Sequence, residues 1–148
     1  EICAVNVYNT QGKTTNTLDS GDDLTIVLEY NLAKPLPDFA LALGIFTETN
    51  IKCFESCISS VITVFGSLNK HGRLSCRLSA LPLFPGRYYI NVGLYPTDWS
   101  CFYDHHWQMH ALRVMDKNGV HSGVSGVVSL HPVWSVLPEE VDRAEMKI

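Results

Sequence analysis

The chain alternates between short apolar runs and clusters of turn residues. Residues 24–30 and 87–95 place every second side chain on one apolar face, which is the period of a half-buried strand. Residues 39–47 are almost wholly apolar, as in a strand covered on both sides, with a helix as the alternative. Turn signals such as Pro85-Gly86 and Asn118-Gly119 separate the runs. The pattern predicts strands at residues 2–8, 24–30, 39–47, 61–65, 73–79, 87–95, 107–115 and 126–133.

This number of short strands, punctuated every ten residues or so, is typical of an all-β sandwich or barrel. Residues 50–60 are polar, carry Cys53 and Cys57, and are expected to form a loop. A length of 148 residues suits one domain. We expect that domain to cover residues 1–135, followed by a charged tail at residues 136–148.

The composition is that of a globular protein, with 46% apolar and 18% charged residues. A net charge of −4 gives no general attraction to nucleic acid or anionic lipid. The five cysteines are odd in number and follow no repeated spacing, so we expect reduced thiols in a cytosolic protein. No apolar run reaches the length of a membrane span.

A sugar site needs flat apolar rings together with fixed hydrogen-bonding groups, and Tyr and Trp supply both. The polar face of residues 87–95 has this composition, and Arg73 and Arg77 of the preceding strand are expected beside it, with Glu29 as a further neighbour. Residues 99–110 add an aromatic and histidine-rich loop. The alternative is an ordinary solvated sheet face. The candidate carbohydrate-binding residues are Arg77, Arg87, Tyr89, Asn91, Tyr95, Trp99, Asp104 and His106.

Other chemistry is not predicted. On a strand, His106 and His110 would lie about 13 Å apart at roughly 3.3 Å per residue, too far to share a metal ion. A phosphate-binding loop would need a glycine five residues before Gly12, where Val7 stands. We therefore predict no catalytic residue, cofactor or metal. Trp107 is expected to pack in the core, and Trp134 at a dimer interface or sheet end.

Four segments together resemble one family. They are Ser-Gly-Asp-Asp-Leu-Thr-Ile at residues 20–26, Leu-Pro-Leu-Phe-Pro-Gly-Arg-Tyr-Tyr-Ile at 81–90, Phe-Tyr-Asp at 102–104 and Gly-Val-Val-Ser-Leu-His-Pro-Val-Trp at 126–134. In this order they resemble the C-terminal carbohydrate-binding domain of the Wzt-type ATP-binding subunit of O-antigen polysaccharide ABC transporters. The resemblance covers roughly residues 2–134, but residues 50–60 and 99–110 depart from it.

The resemblance implies an immunoglobulin-like antiparallel β-sandwich, with a jelly-roll arrangement as the alternative. It implies a homodimer in which the last strand is exchanged between protomers. It also implies recognition of the modified non-reducing end of a finished O-antigen polysaccharide, which couples completed synthesis to export. An ATPase domain would precede this chain, and the protein would work in the cytoplasm with a membrane subunit at the inner face of the inner membrane.

Two other hypotheses remain open at this stage. One is a structural dimerisation domain of the transporter subunit without a ligand of its own. The other is a metal-dependent enzyme that uses the histidines around His105, which predicts bound metal and converging imidazoles. No recognised catalytic spacing supports the enzyme, and fold alone would not establish a function.

Overall fold

Two β-sheets pack against each other in the computed structural model, which describes residues 1–60, 68–119 and 123–138. Within these residues the strands are β1 (Ile2–Tyr8), β2 (Thr17–Asp19), β3 (Leu24–Asn31), β4 (Ala40–Thr47), β5 (Lys52–Ser59), β6 (His71–Leu78), β7 (Gly86–Tyr95) and β8 (Asp104–Met115). A 3-10 turn follows at Lys117–Gly119. The predicted all-β sandwich is confirmed.

The smaller sheet has the strand order β1-β3-β6 and is antiparallel. The larger sheet has the order β2-β8-β7-β4-β5, and its only parallel pair within the described residues is β2 with β8. The core lies between the sheets because alternate residues of the inner strands turn apolar side chains inward. Ile26 from β3, Ile45 from β4 and Ile90 from β7 are fully buried there.

Residues 50–60 are not a loop, so that prediction is wrong. They contain β5, the edge strand of the larger sheet, which pairs with β4. Only Phe54 and Ile58 of this strand are large apolar residues, and both pack against the core. An edge strand with one solvated face needs few apolar residues, which is why the pattern was read as a loop.

Residues 126–133 do not form the predicted strand. Val128 makes an isolated bridge with Leu83, and the N–H of Ser129 donates to the carbonyl of Pro82 over 2.8 Å. From residue 130 to 138 the chain has no strand, and every residue is exposed. We call residues 130–138 the arm. The predicted strand at 61–65 and the charged residues 139–148 lie outside the described residues.

Candidate functional site

A wide bulge interrupts β8 where it pairs with β7. Residues 107–109 of β8 lie opposite the single residue Asn91 of β7. Gln108 has a left-handed backbone with a φ of 55°, and its N–H donates to Oδ1 of Asn91 over 2.8 Å. Trp107, within the bulge, lies on the outer side of the larger sheet like His105 and Arg113 on either side of it, and its ring packs against Phe46.

Asn91 supports the bulge and is not an open surface residue. Its side chain lies on the outer side of the sheet but is only 4% exposed. Its Nδ2 is buried without a hydrogen-bond partner among the described residues. Asn91 therefore affects the outer surface indirectly, because its hydrogen bond with Gln108 holds the bulge in place.

Two glycines let aromatic rings lie flat on the outer side of the sheet. A Cβ added at Gly44 would meet Cε2 of Phe46 at 2.7 Å, and one added at Gly93 would meet the ring of Tyr95 at 2.5 Å. The rings of Phe46 and Tyr95 thus occupy the space above the glycines. The close approach of another group, here an aromatic ring, is one reason for a glycine inside a strand.

Further rings extend this surface. The ring centroids of Phe46 and Trp107 are 5.0 Å apart, and those of His105 and Trp107 are 5.4 Å apart. At the other end, Trp99 lies 4.6 Å from Tyr95. We define the outer aromatic face as these rings together with Tyr89, which pairs with Phe46 across the strands. Its members are Phe46, Tyr89, Tyr95, Trp99, His105 and Trp107.

The backbone of Trp99 is left-handed, with a φ of 59°, which is uncommon for a bulky residue. Trp99 is half exposed, so burial of its own side chain does not impose this conformation.

Burial raises the pKa of the Tyr95 hydroxyl above its usual value, and Glu55 and Cys57 add to the effect. Tyr95 is therefore a neutral phenol at neutral pH, able to donate a hydrogen bond as well as accept one.

Two arginines stand at the end of the same side of the sheet. Arg87 of β7 pairs directly with Arg113 of β8, and like charges in this position repel each other. Neither guanidinium forms an ion pair with a residue that the structure describes. The adjoining cavity of about 380 Å³ is also lined by acidic side chains, those of Glu48 and Asp116.

The predicted site residues divide among three places. Tyr89, Tyr95 and Trp99 belong to the outer aromatic face, and Arg87 lies at its end. Asn91 lies beneath the bulge. Asp104 and His106 lie on the inner side of β8, where Oδ2 of Asp104 accepts a hydrogen bond from the N–H of Ile2 over 2.6 Å.

Arg77 is in the other sheet. Its strand, β6, pairs with β3 and not with β7, so the expectation that Arg73 and Arg77 lie beside residues 87–95 is wrong. Arg77 is within 3.5 Å of Asp23, and Arg73 is within 3.5 Å of Glu29. Strands adjacent in sequence need not be neighbours in a sandwich, because connections cross from one sheet to the other.

The expected separation of His106 and His110 is also wrong. Their facing nitrogens, Nδ1 of His106 and Nε2 of His110, are 2.9 Å apart. The bulge causes this contact, since it removes the regular strand rise between the two residues. No group of three or more metal-ligating side chains occurs in the part of the chain that the structure describes.

Sequence reasoning missed part of the surface. Trp107 was expected in the core, but it is 41% exposed and lies on the outer aromatic face. Phe46 and the two glycines were read only as strand residues. Gly44 and Gly93, each within an apolar run, were the available signal, because a strand glycine often marks a close approach of other groups.

All five cysteines are unpaired. No helix within the described residues is long and apolar enough to cross a membrane.

Comparisons with known proteins identify one family and one similar fold. A sequence model of the Wzt C-terminal domain matches residues 1–130. The structure titled "Crystal structure of the C-terminal domain of wzt" matches with a TM-score of 0.70 at 12% identity, over 93% of this chain and 83% of that chain. At this identity the likeness shows a shared fold. No curated protein sequence matches the chain.

Proposed function

Since the chain belongs to the Wzt C-terminal domain family, the carbohydrate-binding domains of ABC transporters, we propose that its outer aromatic face binds the finished end of an exported polysaccharide. The domain would hold a polymer only after its non-reducing end carries the terminal group, and would then present it for transport. Export would thereby depend on completed synthesis.

The observation that carries this proposal is the set of partly exposed rings, those of Tyr95, Trp99 and Trp107, on the outer side of the larger sheet. A pyranose presents a face of C–H groups, and an aromatic ring presents an apolar face of similar size. Trp99 packs beside Tyr95 and is 49% exposed, and Trp107 is 41% exposed and packs on the buried Phe46. The Tyr hydroxyls and indole N–H groups supply hydrogen bonds for sugar hydroxyls.

The backbone supports the same location. Trp99 and Gln108 both have left-handed backbones, and both position an aromatic ring of this face, since Gln108 follows Trp107 in the bulge. Residues in sparsely populated conformations concentrate at functional sites. Arg87 and Arg113, which have no ion-pair partner among the described residues, add donors for sugar hydroxyls or an acidic end group.

Calorimetry with two forms of one polymer tests this function. The polysaccharide of the organism that makes this chain would be prepared with its terminal group and again after removal of that group. We expect binding of the finished form to be at least about tenfold tighter, which is about 1.4 kcal/mol. Tyr89→Ala should weaken binding, whereas Arg77→Ala, in the other sheet, should not.

Equal binding of both polymers would remove end-group recognition while leaving carbohydrate binding intact. Absence of binding to either polymer, by a folded dimer, would instead favour a structural dimerisation domain without its own ligand. The proposal includes an upstream ATPase domain and a cytoplasmic location at the inner face of the inner membrane.

Dimerisation through the arm is a second part of the proposal. Val133, Trp134 and Val136 are 94%, 92% and 98% exposed. Large apolar side chains exposed together mark an interaction site, and the backbone of the arm lacks a partner strand within the described chain. We infer that the arm packs on a second copy, as a strand exchanged between protomers.

Light scattering at micromolar concentration measures this association directly. The unchanged chain should have the mass of a dimer, and a Trp134→Asp, Val136→Asp variant should lose mass towards the monomer. Phe102→Asp, an exposed aromatic outside the arm, is the matched control and should remain a dimer. A monomeric unchanged chain would exclude the dimer, and a dimeric arm variant would exclude the arm as its interface.

A further inference from the structure

We infer that the hydrogen bond between His106 and His110 positions Trp107 on the outer aromatic face. Protonation of both facing nitrogens would break this bond and release Trp107. The effect on Trp107 stands on geometry alone. Its consequence for polysaccharide binding rests on the proposed function.

The two imidazoles meet nitrogen to nitrogen. The facing atoms are 2.9 Å apart, the ring centroids are 5.1 Å apart and the ring planes differ by 27°. The centroid separation is much larger than the nitrogen separation, so the rings meet at their edges as in an N–H···N hydrogen bond. Two lone pairs aimed at one metal ion would require the rings to turn.

The pair closes the bulge on its inner side. His106 pairs with Val92 and His110 with Ile90, so the two histidines are the residues that flank the bulge. Asn91 holds the bulge from the outer side through the N–H of Gln108. Trp107 lies between these two attachments and packs on Phe46. Loss of the histidine contact would therefore free one side of the segment that carries Trp107.

The contact depends on a single proton between the facing nitrogens. One imidazole must donate and the other must accept. When both facing nitrogens carry a proton, the hydrogen bond is lost and two cations stand side by side. Oδ2 of Asp104, 3.5 Å from Nε2 of His106, can balance one of these charges, but it also accepts the N–H of Ile2.

Apart from the exposed Glu1, the other elements around the pair present no charged side chain to it among their described residues. Strand β7 faces it with Ile90 and Val92, and the exposed Glu1 precedes Ile2 on β1. The cavity beside His110 measures about 420 Å³ and is otherwise lined by Val5, Asn6, Val7, Thr14, Thr15, Asn16, Ile90 and Ala111. Asp104 is thus the acidic group closest to the pair within the described structure.

Burial, and secondly the charge of His106, lowers the pKa of His110 below its usual value of 6.5. A histidine whose pKa is lower in the folded than in the unfolded chain stabilises the fold above about pH 6.5, and this stabilisation is lost as the pH falls further. His110 is therefore neutral at neutral pH, as the hydrogen bond requires, and acid opposes the closed bulge.

Fluorescence of Trp107 tests the inference without any sugar. A Trp99→Phe, Trp134→Phe chain leaves Trp107 as its only Trp, because the sequence has three. The same protein also carries His105→Gln, because the imidazole of His105 lies 5.4 Å from Trp107 and its protonation would quench the fluorescence directly. We expect the emission maximum to move to longer wavelength below about pH 6.5.

The same protein with His110→Gln should lose this pH response, because glutamine can accept the hydrogen bond but takes up no proton in this range. His71→Gln, on β6 of the other sheet, is the matched control and should keep it. An unchanged titration in the His110→Gln protein would overturn the inference. A zinc effect would also overturn it. If zinc chloride shifts the Trp107 emission at neutral pH in the protein with both histidines, but not in the His110→Gln protein, the pair is a metal site.

Polymer binding separates this inference from the proposed function. With finished polysaccharide, we expect binding to be roughly tenfold weaker one pH unit below the lowered pKa of His110, because the protein must then release a proton to close the bulge. His110→Gln should flatten this dependence. If no polymer binds at any pH while Trp107 still titrates, the proposed function fails and the positioning of Trp107 stands.

Discussion

Replacing Trp107 with alanine will weaken binding of the finished polysaccharide roughly 30-fold, a loss of about 2 kcal/mol, as for an aromatic residue at the centre of a binding surface. The indole packs on Phe46 and lies beside His105, so its removal takes away both a stacking surface and an N–H donor. Calorimetry with the finished polymer measures the change.

Tyr8→Ala is the matched control, because Tyr8 is a partly exposed aromatic on β1 of the smaller sheet. It should leave the affinity for the polymer unchanged. Trp107→Ala should unfold at nearly the same denaturant concentration as the unchanged chain, since Trp107 is 41% exposed. Full affinity of a folded Trp107→Ala protein would remove the outer aromatic face as the binding site.

Replacing Phe39 with alanine will reduce the free energy of unfolding by about 3–5 kcal/mol. Phe39 is fully buried and is the largest of the completely buried side chains. Its backbone also anchors the start of β4 to the end of β5, since its carbonyl accepts the N–H of Ser60 over 3.0 Å. The loss combines the transfer of the ring to water with the cavity left behind. Urea denaturation measures it.

Phe102→Ala removes the same atoms from an exposed position, so its free energy of unfolding should change by no more than about 0.5 kcal/mol. A small effect at Phe39 would mean that the core collapses around the deletion or that Phe39 is not buried in solution. A large effect at Phe102 would mean that its contact with His105 or a second copy of the chain supports the fold.

The sequence was informative wherever a strand has neighbours on both sides. Residues 24–30 and 87–95 form most of β3 and β7, each the central strand of its sheet, because burial of one face requires strict alternation. The all-β sandwich followed from the alternating strands and the turns between them, and the family resemblance from four short segments in a fixed order. Tyr89 and Tyr95 were predicted on one side of the strand for the same reason, since alternation determines which side of a strand a residue occupies. Trp99 was predicted only as part of a loop, and its contact with Tyr95 comes from the folded chain.

Pairing between distant strands was decided only by the tertiary structure. The position of Arg77 in the other sheet follows from the partnership of β6 with β3, which no local pattern encodes. The contact of His106 with His110 depends on a bulge opposite Asn91, whose extra residues have no periodicity of their own. Local sequence determines the period and facing of each strand, because sterics and burial act within the strand. Sheet order and the bulge depend on which strands pair with each other, and these partners are distant in sequence. The shape of the outer aromatic face is therefore determined only in the folded chain.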